Sequence, residues 1–304
     1  MSKANIICYG EILWDMLPED FGGKQPGGAP MNVAFHVQQL GTSSRMISRI
    51  GNDDLGKELL QFLKDKGIDT QLMQHDEILN TSTVEVELDA NGTPSYEIIE
   101  NVAWDNIHTS KELLDEVKAN DAVVFGSLAC RGERSRDTLF KLLEVATLRI
   151  FDINLRPPFY SKHLLERLLN YADIVKVNEE ELAIVAAWVG IFKDTISTIQ
   201  AVKDKYKIDV IIVTKGRDGV ICIDNNQIFT HPIFPIEVSD TVGSGDAFLA
   251  GFIHHFLNGE PTLNCLKLAS IMGAYVATKS GATPTLILEE LEEIQKGKFT
   301  QRIA

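Results

Sequence analysis

The run Asp240-Thr241-Val242-Gly243-Ser244-Gly245-Asp246 holds the most informative chemistry of the chain. Phe248, Leu249, Phe252, Ile253, Phe256 and Leu257 follow it as an apolar face at helical spacing. Gly243, Ser244 and Gly245 are therefore expected at a helix N-terminus, where the first amides have no intrahelical partner and carry the positive dipole end. Glycine lets an anionic group come close to that backbone. Asp246 then falls in the first turn. It reads either as a cap matched to the dipole or as a general base. As a base it takes a proton from a hydroxyl that attacks a phosphorus held by the glycine amides. The turn is not a Walker loop, since no Gly-Lys-Ser or Gly-Lys-Thr follows. Nor does the chain begin with a strand-linked GxGxxG, which disfavours a nicotinamide dinucleotide.

A second group lies near the start. Gly27 and Gly28 let backbone pass close to a ligand, and Asn32 enters a helix that is otherwise apolar on one side. Asn32 either caps locally or hydrogen-bonds neighbouring hydroxyls of a polyol. Glu11 and Asp15 follow the first apolar strand, where open α/β sheets place ligands. Asp15 suits hydroxyl groups of a sugar, a fit that rejects analogues lacking them.

These residues need a frame. Apolar runs at 6–9, 45–50, 122–125, 148–151, 174–177 and 210–214 read as strands. Helical patterns at 31–40, 55–66, 134–146, 162–170 and 197–206 alternate with them. Pro30 and Gly41 bracket the first helix, and Gly67 stops the second. The alternation predicts an α/β fold in three layers, with a central, mostly parallel sheet. Two regions break the rhythm. Asn91-Gly92 joins runs at 81–88 and 95–100 as a hairpin, and Val84, Val86 and Leu88 alternate with Glu85, Glu87 and Asp89. A strand with one acidic face does not suit a sheet covered on both sides. It is assigned to a small β-sheet lid built from about 12–30 and 81–103, inserted in one domain spanning 1–304. Residues 219–229, turning at Asp224-Asn225-Asn226, read as an antiparallel edge of the main sheet.

The 304 residues suffice for one large core. With 43 acidic against 29 basic residues the net charge is −14, which argues against nucleic acid and against an anionic membrane as partners. No apolar run reaches membrane-spanning length, and MSKANIICYGEIL does not read as a secretory leader, so a cytoplasmic protein is expected. Cys8, Cys130, Cys222 and Cys265 are far apart and read as reduced, buried thiols.

Together the motifs resemble the ribokinase-like sugar kinases, the phosphofructokinase B family, over essentially the whole chain. Gly27, Gly28 and Asn32 match its GG-x-x-x-N signature. Gly51, Asp53 and Gly56 match G-x-D-x-x-G, and Asp240, Thr241, Gly243, Gly245 and Asp246 match D-T-x-G-x-G-D. Ser244 stands where the family mostly has Ala. The resemblance implies transfer of the γ-phosphoryl of ATP to a sugar hydroxymethyl group. Asp246 is then the base, and the amides of Gly243, Ser244 and Gly245 form the anion hole. It implies Lys176, Asn178, Thr214, Lys215, Gly216 and Gly219 around the nucleotide, with residues 268–279 and Gly281 walling the adenine. It implies Glu181 near Mg²⁺ through water, and Asp240 at a monovalent-cation site for K⁺. Asn178 and Glu181 also read as a capping box, and Lys215 as a turn lysine. The G-E-x-L-x-D opening from Gly10 to Asp15, and Asp152, Asn154 and Arg156, are most similar to bacterial fructokinases. That implies fructose 6-phosphate as product, with Asp15, Gly28, Asn32 and Arg131 on the sugar. It implies Arg156 between acceptor and phosphates, and a homodimer paired through the lid. Ribose, a nucleoside or 2-keto-3-deoxygluconate remain alternative acceptors, and a noncatalytic sugar-binding regulator is the alternative class.

Overall fold

The computed structural model describes residues 3–18, 23–88, 94–190 and 194–298. The chain runs β1 (Asn5–Tyr9), β2 (Leu13–Met16), β3 (Lys24–Gly27), α1 (Ala29–Leu40), β4 (Ser43–Ile47), β5 (Arg49–Gly51), α2 (Asp54–Asp65) and β6 (Gln74–Asp76). Next come β7 (Ser82–Leu88), β8 (Pro94–Ile98), α3 (Lys111–Ala119), β9 (Ala122–Phe125), α4 (Glu133–Leu143), β10 (Arg149–Asp152), α5 (Lys162–Tyr171) and β11 (Ile174–Asn178). It closes with α6 (Glu179–Trp188), α7 (Thr195–Tyr206), β12 (Val210–Thr214), β13 (Val220–Asp224), β14 (Gln227–His231), α8 (Ser244–Leu257), α9 (Thr262–Ala277) and α10 (Leu288–Gln295).

Eight strands form the main sheet in the order β14-β13-β12-β11-β10-β9-β1-β4. All neighbours from β12 to β4 are parallel, and the β12–β13–β14 edge is antiparallel, as the Asp224-Asn225-Asn226 turn predicts. Successive side chains of a strand point to opposite faces, and both faces here are apolar. Ile7, Tyr9, Val123, Phe125, Phe151, Val175 and Val213 face a core shared with α3 to α7. Ile6, Cys8, Val124, Ile150, Ile174 and Ile212 face a core shared with α1, α2, α8 and α9. These are the three layers. The four cysteines are free and buried, and burial raises their thiol pKa values.

The two segments assigned to a lid form one four-stranded sheet, β3-β2-β7-β8. β2 pairs antiparallel with β3 and parallel with β7, so the early segment and the hairpin share one sheet. Val84 is buried with Leu13 and Glu85 is exposed, as the alternation predicts at these two positions; the side chains of 86–88, and residues 89–93 with the Asn91-Gly92 turn, lie outside the described residues. The lid narrows against expectation at its end, because 99–103 leave the sheet for a short turn at Ala103–Asn106. The single strand expected over 45–50 is also split. Ser48 interrupts it and donates its hydroxyl to the Gly10 carbonyl at 2.6 Å, while β5 leaves to pair with β6.

Two ties fix the lid to the body. Trp14 Nε1 donates to the Leu55 carbonyl at 3.0 Å. Asp53 caps α2 through the Gly56 amide and accepts from the Thr81 amide and hydroxyl, each at 2.7 Å. β1 lies between β4 and β9, where the winding of the sheet reverses. The crevice beyond the carboxyl end of β1 is thus the place such a fold offers a ligand. Among the described residues, no helix is long and apolar enough to cross a membrane.

Candidate active site

α8 begins as its sequence dictates. Gly243 takes φ 74°, a left-handed conformation, and a Cβ there would stand 2.6 Å from Ala282. Asp240 shapes the preceding turn by accepting from the amides of Val242 (3.0 Å) and Gly281 (3.2 Å). The expected trio of free amides is corrected at one position: the Ser244 N–H already donates to the Thr241 carbonyl at 3.2 Å. Among the described residues, the Gly243 and Gly245 amides have no such acceptor. The serine hydroxyl donates to the Gly273 carbonyl at 3.0 Å, tying α8 to α9.

Asp246 is buried, 9% exposed, and accepts from Asn32 Nδ2 at 2.8 Å. Burial, then the nearby Asp152 charge, push its carboxyl up to about 6, against the pull of Asn32, Lys176 and Arg156. Asn32 sits in the first turn of α1, and its Oδ1 is buried without a partner. The local-cap reading of Asn32 is thereby replaced by a bond between two helix starts. Gly28 precedes α1 at φ 114°, where a Cβ would strike the Glu11 carbonyl, so the chain passes directly over the end of β1. Gly27 ends β3 opposite Leu13.

Glu11 and Asp15 share with Asp246 the influence of the Arg156 charge. Burial raises Asp15 to about 6 and Glu11 to about 7, and the Arg156 charge lowers both. Glu11 Oε2 is buried and has no partner. Arg156 is exposed, donates to its neighbour's Leu155 carbonyl at 3.0 Å, and its charge reaches Glu11, Asp15 and Asp246. Asn154 takes φ 39° in the loop that carries it.

On the other side of Asp246 stands an ion pair that pattern reading left unassembled. Asp152 and Lys176 are register partners on β10 and β11, and Lys176 Nζ donates to Asp152 at 2.8 and 3.0 Å. Burial alone would lower the Lys176 ammonium; Asp152, Asp246 and Glu181 raise it instead. Its Nζ lies 3.3 Å from where a Cβ on Gly245 would be, so the cation sits directly at the helix start. The legible signal was a charged residue on each of two adjacent, otherwise apolar strands.

Asn178 and Glu181 form the capping box of α6: Asn178 Oδ1 accepts from the Glu181 amide and Glu181 Oε2 from the Asn178 amide, each at 2.9 Å. Glu181 Oε1 accepts from the Leu155 amide at 2.8 Å, which anchors the loop carrying Arg156. Burial and Asp152 raise the Glu181 carboxyl. Thr214 ends β12 and donates to the Val177 carbonyl at 3.4 Å. Lys215 pairs with Glu179 at 3.4 Å, and Gly216 and Gly219 bracket the turn that follows. The turn-lysine reading thus gains a definite partner. Arg131, expected beside these carboxylates, is committed elsewhere: its Nε and Nη2 bond Asp105 at 2.8 and 3.0 Å, and Nη2 bonds the Ile99 carbonyl at 2.6 Å.

A buried carboxylate, a helix start and a buried lysine thus stand together at the mouth of a doubly wound sheet. Residues 5–288 match the pfkB family of carbohydrate kinases, and the chain belongs to that family. It is an ATP-dependent sugar kinase. It is 33% identical over 302 residues to a fructokinase of Salmonella typhimurium, covering 93% of this chain and 96% of that one. It is 30% identical over 312 residues to a putative sugar kinase of Pyrococcus horikoshii, covering 96% of each. The crystal structure of a Vibrio cholerae O395 fructokinase with fructose, ADP and calcium superposes with a TM-score of 0.80 at 25% identity, covering 94% of this chain and 96% of that one.

Proposed function

We propose that the chain phosphorylates D-fructose at its 6-hydroxymethyl group, with Asp246 as general base. The observation that carries this reading is the buried Asp246 carboxylate, held by Asn32 at the start of α8 within reach of Lys176 and Arg156. Asp246 takes the proton of the hydroxyl. The oxygen forms a bond to the γ-phosphorus as the bond to the bridging oxygen breaks, and ADP leaves with that electron pair. The amides of Gly243 and Gly245 meet charge developing on the phosphoryl oxygens. Lys176 and Arg156 supply cations on either side. Asp15, Asn32 Oδ1 and the Gly28 backbone take the sugar, and the lid excludes water. Residues at Thr214, Lys215, Gly216 and Gly219 take the nucleotide with Asn178. The relatives named as fructokinases support the choice of acceptor.

The donor set fits a magnesium ion held mainly by phosphates and water. Among the described residues no three His, Cys, Asp or Glu side chains stand close enough to cage a metal, and both Glu181 oxygens already accept amides. Glu181 and Asp152 would hold its hydration shell; when bound, the ion offsets phosphate charge. A potassium ion beside Asp240 and a homodimer paired through the lid belong to the same reading.

The deciding experiment incubates the protein with Mg-ATP and a panel of sugars and nucleosides and identifies the product and its phosphorylated position. Fructose 6-phosphate is expected. Good turnover of another acceptor without turnover of fructose would overturn the acceptor. Rates in potassium against lithium test the Asp240 site, and solution mass tests the dimer.

A further inference from the structure

A cavity of about 610 Å³ lies between α4, the N-terminus of α5 and the loop at 156–161. Its charged lining is Arg131, Arg136, Arg167 and His163 against a single acid, Glu100. That is an open basic cleft in a chain of net charge −14, with Arg131 also paired to Asp105. Neither Asp246, Asp15, Glu11 nor Arg156 lines it. Its size suits a small organic ligand and exceeds what a bare inorganic ion fills.

Three features prepare it for an anion. The Arg131 side chain is 6% exposed, and its Nη1 is buried without a partner although Nε and Nη2 are satisfied. Its guanidinium is held over the Trp104 and Phe159 rings, 4.0 and 4.7 Å from their centroids. Arg167 is held over Phe140 at 3.9 Å, so both planar forks are preset. Ser161 caps the ten-residue α5 by accepting from the Leu164 amide at 3.2 Å, leaving the first amides of that helix at the cavity edge.

We propose that this cavity is a second ligand site, which binds a small organic phosphate. The phosphomonoester dianion sits among Arg131, Arg136, Arg167 and the α5 N-terminus, because paired guanidinium groups and helix amides offer more donors than one carboxylate uses. Its polar body lies against Tyr160 and Ser161. The site is coupled to the chemistry through one short loop. The Phe159 amide donates to the Arg156 carbonyl at 2.8 Å, so a ligand resting on Phe159 also fixes the backbone of Arg156. Such a site makes the enzyme responsive to phosphorylated metabolites without occupying the catalytic crevice.

The test is calorimetric titration of the full chain in the presence of ADP and magnesium. The probes are glucose 6-phosphate, glucose and inorganic phosphate, applied to the wild type and to Arg136→Gln/Arg167→Gln. Glucose 6-phosphate is expected to bind saturably, one equivalent per chain, with inorganic phosphate competing and glucose silent. The double variant should weaken it by about tenfold or more with ADP affinity unchanged. If the double variant loses ADP affinity as well, the single Arg167→Gln, at an exposed position, replaces it. Equal affinity in wild type and variant, absence of saturable sugar-phosphate binding, or binding of inorganic phosphate alone would each overturn the proposal. None of these readouts depends on which sugar the catalytic site turns over.

Discussion

Asn32 donates to Asp246 at 2.8 Å across 214 positions of sequence, joining the first turn of α1 to the first turn of α8. The bond stabilises the ionised carboxylate and so lowers its pKa against the effect of burial. Asn32→Ala removes it. The acidic limb of the pH–kcat/KM profile should then move to higher pH, with a loss of about tenfold or more in rate at neutral pH. A limb left where it is in the wild type would show that Asn32 does not tune Asp246.

The wild-type profile has its own sign. A base works unprotonated, so the rate should climb as pH rises through about 6, the value to which burial pushes Asp246. Asp15 and Glu11 titrate in the same range, so the observed value belongs to the group. Asp246→Asn should lower kcat by about 10²- to 10⁴-fold and leave ADP affinity near wild type. Single-turnover kinetics and nucleotide titration check the two halves.

Lys176→Met leaves the buried Asp152 carboxylate without its cation. Breaking such a pair costs about 3–5 kcal/mol, readable as a lower urea midpoint at neutral pH. Lys176→Met/Asp152→Asn should recover a large part of that loss. Failure of the double variant to recover would mean that Lys176 stabilises the fold through Asp246 and Glu181 instead.

His36 gives a pH dependence of stability separate from catalysis. It is buried in α1, its Nε2 is 2.9 Å from the Ala282 carbonyl, and burial lowers it to about 4 from an ordinary 6.5. The unfolded chain therefore takes up the proton first. The neutral ring's contribution is whole above pH 6.5 and is lost as pH falls through about 4, about 3 kcal/mol in all. Glu11, Asp15 and Asp246 have raised values and gain stability in the same descent, so the total curve mixes both signs. The informative quantity is the Tm difference between wild type and His36→Gln. It should shrink on going from pH 7 to pH 4, and a constant difference would exclude the mechanism.

How far the sequence could be read depends on the range of each interaction. The strand and helix order was legible because Ile6–Tyr9, Ala122–Phe125 and Val210–Thr214 are short apolar runs flanked by helical patterns. Asp246 at a helix start was legible because Gly243 and the apolar face after it are local. The break at Ser48 was not, since the Gly10 carbonyl that draws its hydroxyl belongs to a distant segment. The Asp152–Lys176 pair was hidden for the same reason: both residues were visible, but only the pairing of β10 with β11 brings them together. Arg131 was visible as a cation, and Asp105, which accepts two of its hydrogen bonds, was not.

The packing of α1 against α8 has a consequence for how the chain is made. The apolar side of α1, with Met31, Val33 and Val37, is covered in a core completed by Phe248, Leu249 and Phe252 of α8. A ribosome exposes α1 about 200 residues before α8. Until then the growing polypeptide carries an open greasy flank and an Asn32 with no carboxylate to meet. The pairing of Asn32 with Asp246, and any chemistry that rests on it, therefore waits for α8.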